Sequence, residues 1–449
     1  MSPSSGSSLP TGQSEGGQYA FINGRWFDGQ EFQSATWYSA QGRLTRTSPP
    51  GRIETVDLAG LFIVPPFGEA HNHNVEGPWN LQTVSQRYLT DGVFYVKNPN
   101  NVRDFALQIR SAVNRPTSID ATFAHAGLTG NGGHPIALYE DVLRVSRYEP
   151  VIGTIERGWF ENRAYIVIET EADLDAKWSL ITSGRPDFVK VYVVHSEDED
   201  VGREAPQRRS RTGLHPRLVP LIVAKAHAAG LQVTAHVETA ADFRHAVRAG
   251  VDEIAHVPGW LVKSPTDAER ARLTDDDARV AVERRVRVVT TAVAGRAMPS
   301  MAAPHSHGHD GAHAAEPADP HTTTKVESWG HVLRDNLNLL HHAGVHLLVG
   351  SDHADTSLAE IMHLHSFHLF DNLALLKMWC EATPAAIFPD RRIGRFEEGY
   401  EASFLALAGN PVEDFNQVQA IRHRFKQGVP LEHLDRSGPV FSEREHRAH

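Results

Sequence analysis

Cysteine is almost missing from this chain: Cys380 stands alone among 449 residues. A single cysteine excludes an intramolecular disulfide and any cysteine-built metal cluster, so a metal site must draw on histidine and carboxylate. Long hydrophobic runs are lacking as well. No apolar stretch approaches the roughly 20 residues that a membrane-spanning helix needs, so no membrane partner is expected. Excess positive charge is absent too. Against 55 Asp and Glu stand 44 Lys and Arg, the formal net charge is −11, and no Lys/Arg stripe offers a nucleic-acid surface. What remains is 41% hydrophobic and 22% charged residues, the make-up of a soluble globular chain. The length suits one large barrel or two to three ordinary domains.

Residues 1–17 are rich in Ser, Gly and Pro and read as a disordered tail with no signal-peptide core, which favours the cytoplasm unless a leader has been removed. Residues 18–61 alternate apolar and polar positions, and Asn23-Gly24 is a hairpin signal. From Phe62 the pattern changes to short apolar strands separated by helical stretches, the mark of βα units. Eight strands are expected: Phe62–Pro66, Val93–Lys97, Ala121–His125, Phe188–Val194, Gln232–His236, Glu253–His256, Val286–Thr290 and Val345–Ser351. Helices are expected over Leu218–Ala229 and Ala240–Ala249, with Gly230 and Gly250 at C-cap positions. Past residue 388 short strands return, at Gly394–Phe396 and Ser403–Leu407. The expected fold is α/β: a (β/α)8 TIM-type barrel over 62–387, with a small β-sandwich domain formed from both chain termini, 18–61 and 388–449.

The chemistry gathers at the predicted strand ends. The first carries His71 and His73, whose i, i+2 spacing puts both imidazoles on one face of an extended chain. A lone H-x-H means little among 27 histidines. Here it is joined by Lys190 on strand four, His236 ending strand five, His256 ending strand six and Asp352 after strand eight. Four histidines and an aspartate on one barrel rim are the nitrogen and oxygen ligands of a divalent ion.

This ordered set resembles the amidohydrolase superfamily of metal-dependent barrel hydrolases, in the subgroup of imidazolonepropionase-like and prolidase-like enzymes. The likeness spans roughly residues 19–415, including a closing segment at Arg395–Phe404 in which Ser403 replaces the usual Asp. Glu69 and Asn72 also depart from the commoner residues around H-x-H. The resemblance implies two divalent ions, expected to be Zn2+. His71, His73 and Asp352 would hold the first, His236 and His256 the second, and a carboxylated Lys190 would bridge them. Charge reasoning agrees, because an ammonium facing a dication is repelled whereas a carbamate is an anion. The implied activity is hydrolysis of an amide or related C–N bond, of dipeptide or N-acyl amino acid type, by metal-bound hydroxide with Asp352 moving the proton. Tyr192, His195 and His134 are candidate donors to the oxyanion, and Glu76, His134, Trp79 and Trp260 candidate substrate contacts.

Alternatives stay open. Lys190 can be an ordinary strand lysine beside a mononuclear site of His71, His73, His236 and Asp352. Glu238, two residues past His236, suggests a mononuclear deaminase, although deaminases of the superfamily space that glutamate by three and lack the lysine. A cyclic amide or lactone is a further substrate class. The His-rich stretch 305–321 suggests a noncatalytic zinc-binding protein or a lid over the site, and His363, His365 and His368 read as histidines of a helix surface. The expected partner is a small molecule, with homo-oligomer formation open.

Overall fold

A computed structural model describes residues 17–198, 212–294 and 331–431. The N-terminal part forms five strands: β1 (Tyr19–Phe27), β2 (Phe32–Ala40), β3 (Arg43–Thr45), β4 (Glu54–Asp57) and β5 (Phe62–Val64). The chain then builds ten parallel strands: β6 (Phe67–Glu69), β7 (Val93–Asn98), β8 (Asp120–Phe123), β9 (Gly127–Thr129), β10 (Tyr165–Val167), β11 (Phe188–Tyr192), β12 (Gln232–His236), β13 (Glu253–Ala255), β14 (Arg287–Val289) and β15 (His346–Leu348). Three more close the described chain: β16 (Phe404–Leu407), β17 (Ile421–Lys426) and β18 (Val429–Pro430).

The last three strands join the first five in one mixed sheet, in the order β18-β17-β16-β5-β1-β2-β3, with β4 also on β1. Strands from both chain ends thus share a sheet, as expected. Phe21, Trp26, Trp37, Phe404 and Phe425 are buried in its core. The sequence reading departs from the structure in several places, β9 and β10 being parallel strands beyond the eight expected. Phe62–Val64 pairs with β1 and β16, so it belongs to the mixed sheet, and the parallel strand that leads to the histidines is Phe67–Glu69. Pro65 and Pro66 separate the two, because proline has no N–H to continue a ladder. Gly394–Phe396 forms no strand; the Phe396 ring instead packs edge-on against Trp26 at 4.9 Å.

The parallel strands form two sheets, β6-β7-β8 and β10-β9-β11-β12-β13-β14-β15. The loop ends of β6 and β15 are linked: Ala70 N–H donates to Val349 O at 2.8 Å, and Asn72 bridges Asp352 in parallel register. Helices alternate with these strands. Helix Ala240–Ala249 has the expected bounds, a Thr239/Asp242 capping box, and Gly250 at φ 86° as its left-handed C-cap. Apolar side chains of strands and helices merge into one large buried cluster. A smaller cluster forms in the excursion between β9 and β10, where Tyr139, Tyr148, Ile155, Phe160 and Tyr165 pack with Trp79 and Phe105.

The mixed sheet is tied to the parallel strands by buried charge. Lys426 of β17 donates to Asp120 of β8 at 2.7 Å, both fully buried, and Arg391 bridges Asp120 and Glu401 at 2.7 Å each. Removing Asp120 leaves the Lys426 ammonium buried with, among the described residues, only a carbonyl, Arg115 O, as acceptor. Breaking a buried pair from one side costs about 3–5 kcal/mol. Asp120→Ala is therefore expected to lower the melting temperature by several degrees; an unchanged melting curve would show that the pair carries no net stability.

Candidate metal centre

His71 and Asp352 come from turns that are locked together. Gly350 lets the end of β15 approach β6, since a Cβ there would lie 2.4 Å from Val289 Cγ1 and 2.9 Å from His71 Cβ. Glu69 accepts from Ser351 N (2.8 Å), Ser351 Oγ (2.6 Å) and His71 N (3.3 Å). The Asn72 amide donates to Ser351 Oγ and Ala354 O, both at 2.9 Å. The two unusual residues around H-x-H thus cross-link its turn to the one that presents Asp352. Burial without a cation pushes the Glu69 carboxyl up to about 8.

His71, His73 and Asp352 offer ligand atoms within 4.8 Å of one another, as a set that could hold a metal ion. His71 Nε2 and His73 Nε2 lie 3.6 and 3.3 Å from Asp352 Oδ1. His73 Nδ1 meets Asn100 O at 3.0 Å; that carbonyl can only accept, so Nδ1 carries a proton, and Nε2, which faces Asp352, is the nitrogen left for a metal. His256 Nδ1 meets Thr291 Oγ1 at 2.8 Å. The His256 ring stands 4.8 Å from that of His71 and 4.6 Å from that of His236. Burial lowers the proton affinity of His71, His236 and His256, so all three are neutral and ready to ligate. Burial alone would raise Asp352, but His353, His71 and His73 overcome it and hold the carboxylate well below its usual range. His256 and Asp352 both take the left-handed backbone conformation, φ 75° and 55°. Such strain costs of order 1–3 kcal/mol and gathers at functional sites.

Lys190 completes the group. It is 1% exposed, its Nζ has no hydrogen-bond partner among the described residues, and the Tyr192 ring lies 5.5 Å away. Burial brings its pKa down to about 7, against the pull of Asp352 and Glu253. An amine that gives up its proton this readily can react with carbon dioxide, so the donor set fits a dication.

His71, His73, Lys190, His236, His256 and Asp352 line one cavity of about 690 Å3, together with Glu76, His134, Tyr192 and Trp260. The expected site residues are therefore in one place except His195 and Trp79, which do not line the cavity. The His195 ring is engaged by Glu197 and Glu238 at 3.7 and 3.3 Å, and those carboxylates push it up to about 10. The Tyr192 hydroxyl donates to Asn100 Oδ1 at 2.5 Å, and Glu76 pairs with Arg147 at 2.7 Å. His134, buried beside His236, is lowered to about 3. Trp79 packs in the satellite core, and His365 stacks on Phe415, away from the cavity. The stretch 305–321 lies outside the described residues. Asn100, Arg147 and His353 line the cavity without a motif in the sequence to mark them.

The amidohydrolase family model matches residues 192–430, more than half of the chain. The chain belongs to the amidohydrolase family. Comparison with curated proteins found no match. Among solved structures, an amidohydrolase is 19% identical with a TM-score of 0.66, covering 92% of this chain and 98% of that one. A prolidase complexed with N-methylphosphonate-L-proline is 16% identical with a TM-score of 0.67, covering 92% and 99%. The ochratoxinase of A. niger is 16% identical with a TM-score of 0.67, covering 93% and 96%. At these identities the likeness is one of fold. Family and ligand set together make this amidohydrolase a metal-dependent hydrolase acting on C–N bonds. No helix among the described residues is long and apolar enough to cross a membrane.

The rim of the amidohydrolase site is braced by Glu360, fully buried, which accepts from Ala292 N (2.8 Å) and Val293 N (2.7 Å) beside the Thr291 that orients His256. Burial raises its carboxyl from 4.5 to about 7. Between those values the folded protein holds a proton that the unfolded chain has lost, so this stabilisation is complete below about 4.5 and disappears as pH rises through about 7. In metal-free protein, Glu360→Gln is expected to flatten the fall in denaturation midpoint across that window. An identical pH dependence in both proteins would contradict this.

Proposed function

We propose that the two parallel sheets close into one barrel of eight strands, with β9 and β10 as additions to it, capped by a separate β domain from the chain ends, and that its rim would hold two divalent ions with a carboxylated Lys190 as their shared ligand. The buried Lys190 amine, without a hydrogen-bond partner among the described residues and beside neutral imidazoles and an ionised Asp352, carries this reading. A carbamate would give Nζ a negative neighbour for the ions and end its isolation. His71, His73 and Asp352 would hold one ion, His236 and His256 the other.

Bound ions of this kind acidify water and polarise a carbonyl. The chain's own residues do the rest. Asp352, kept ionised by three histidines, takes a proton from water and delivers it to the leaving nitrogen. His134, neutral in the cavity wall, can donate to the developing oxyanion, and Tyr192 can do so by releasing Asn100. His195 acts at a distance, as the cation that holds Glu238 against His236. A dipeptide or N-acyl amino acid is the substrate class, supported by the prolidase among the similar folds. A mononuclear deaminase is the second reading. It draws on Glu238, which lines the cavity 3.4 Å from His236 Nε2, but the pairing with His195 already occupies that carboxylate.

Metal analysis separates the readings. Two equivalents per chain, falling to one or none in Lys190→Ala, are expected; one equivalent unchanged by the substitution would sink the bridged pair. Asp352→Asn is expected to lower kcat by about 10²–10⁴-fold, the usual worth of a positioned acid–base group. Turnover close to wild type would remove Asp352 from proton transfer.

A further inference from the structure

The cavity holds more than a metal centre requires. Of its charged lining groups, Glu76 is spent on Arg147 and Glu238 on His195 and His236, while Lys263 stands exposed at the end of the lining stretch after β13. Two apolar stretches remain facing the space. One is the helical turn that carries Leu138, Val142 and Leu143; the other runs Trp260, Leu261, Val262 after β13. The second begins at the metal centre itself, since the Trp260 indole stacks on the His256 ring with centroids 4.3 Å apart. Its N–H is already donated to Val237 O at 3.3 Å, so only its apolar surface is offered. The first wall is preformed, because the helix that carries it is anchored by its own aromatic core, with Tyr165 donating to Glu140 at 2.7 Å and Gly158 N to the same carboxylate.

From this arrangement we infer that, with an N-acyl amino acid as substrate, its acyl group is large, uncharged and apolar, of medium-chain or aryl size. The inference rests on the amide-hydrolase reading and deepens it. A volume of about 690 Å3 lies within the roughly 300–1,000 Å3 of pockets that enclose drug-sized ligands. An acetyl group would leave both apolar walls wet. A longer acyl group removes them from water, and each buried methylene adds affinity. Val142 marks the outer end of the first wall, being 40% exposed while it lines the cavity.

The test uses N-acetyl-, N-butanoyl-, N-octanoyl- and N-benzoyl-L-alanine, with two readouts on the full chain. Binding to metal-free protein is followed by tryptophan emission, and amine release is followed with metal-loaded protein. The octanoyl and benzoyl compounds are expected to bind at least tenfold more tightly than the acetyl compound. Val142→Asp, at a half-open position that tolerates charge, should bring that ratio down toward one. Val151→Asp, exposed on the same excursion but outside the cavity, should leave it intact. A wild-type ratio near one, or a ratio untouched by Val142→Asp, overturns the apolar acyl group. A retained binding ratio with no amine released from any compound leaves the acyl slot standing and counts instead against N-acyl amino acid hydrolysis.

Discussion

The site depends on one electrostatic constraint: Lys190 is buried where, among the described residues, no acceptor meets its Nζ. An ammonium in that position has lost its water, and the attraction of Asp352 and Glu253 does not make up for it, so burial lowers its proton affinity to about 7. The surroundings share the same bias. Burial keeps His71, His236 and His256 neutral, while Asp352 stays ionised because histidines face it. Uncharged nitrogen lone pairs, one carboxylate and one poorly protonated amine make a group that cations can bind and that protons leave readily.

Holding that group together takes more than the ligands. Glu69, Ser351 and Asn72 fasten the His71–His73 turn to the Asp352 turn, and Gly350 permits the two strand ends to meet. On the far side, Glu360 fixes the loop whose Thr291 orients His256. Each clamp joins residues far apart in sequence, so the site's geometry is set by the packing of the parallel strands. The left-handed backbone at His256 and Asp352 persists because these clamps and the strand pairing over-determine it.

The six ligand-type residues were legible in the sequence because each lies in or just past a short apolar strand, and the ends of such strands on one rim of a parallel sheet point to a common space. The helix Ala240–Ala249 was legible for a local reason, its capping box and terminal glycine. Other features were not local. Phe62–Val64 is apolar like any buried strand, and only its pairing with β1 and β16 assigns it to the mixed sheet. β9 and β10 are three residues each, too short to show a period. Arg147, Asn100 and His353 enter the cavity through tertiary contacts that no spacing announces. His195 sits three residues from β11 as a donor would, yet Glu197 and Glu238 claim its ring.

The proposed role of Lys190 is tested most directly by anomalous diffraction from crystals of metal-loaded protein. The account predicts two anomalous peaks about 3.5–4 Å apart, the usual spacing of paired catalytic ions, with continuous density for a carboxyl group on Lys190 Nζ between them. A single peak at His71, His73 and Asp352, with Lys190 ending in a bare amine, would contradict it.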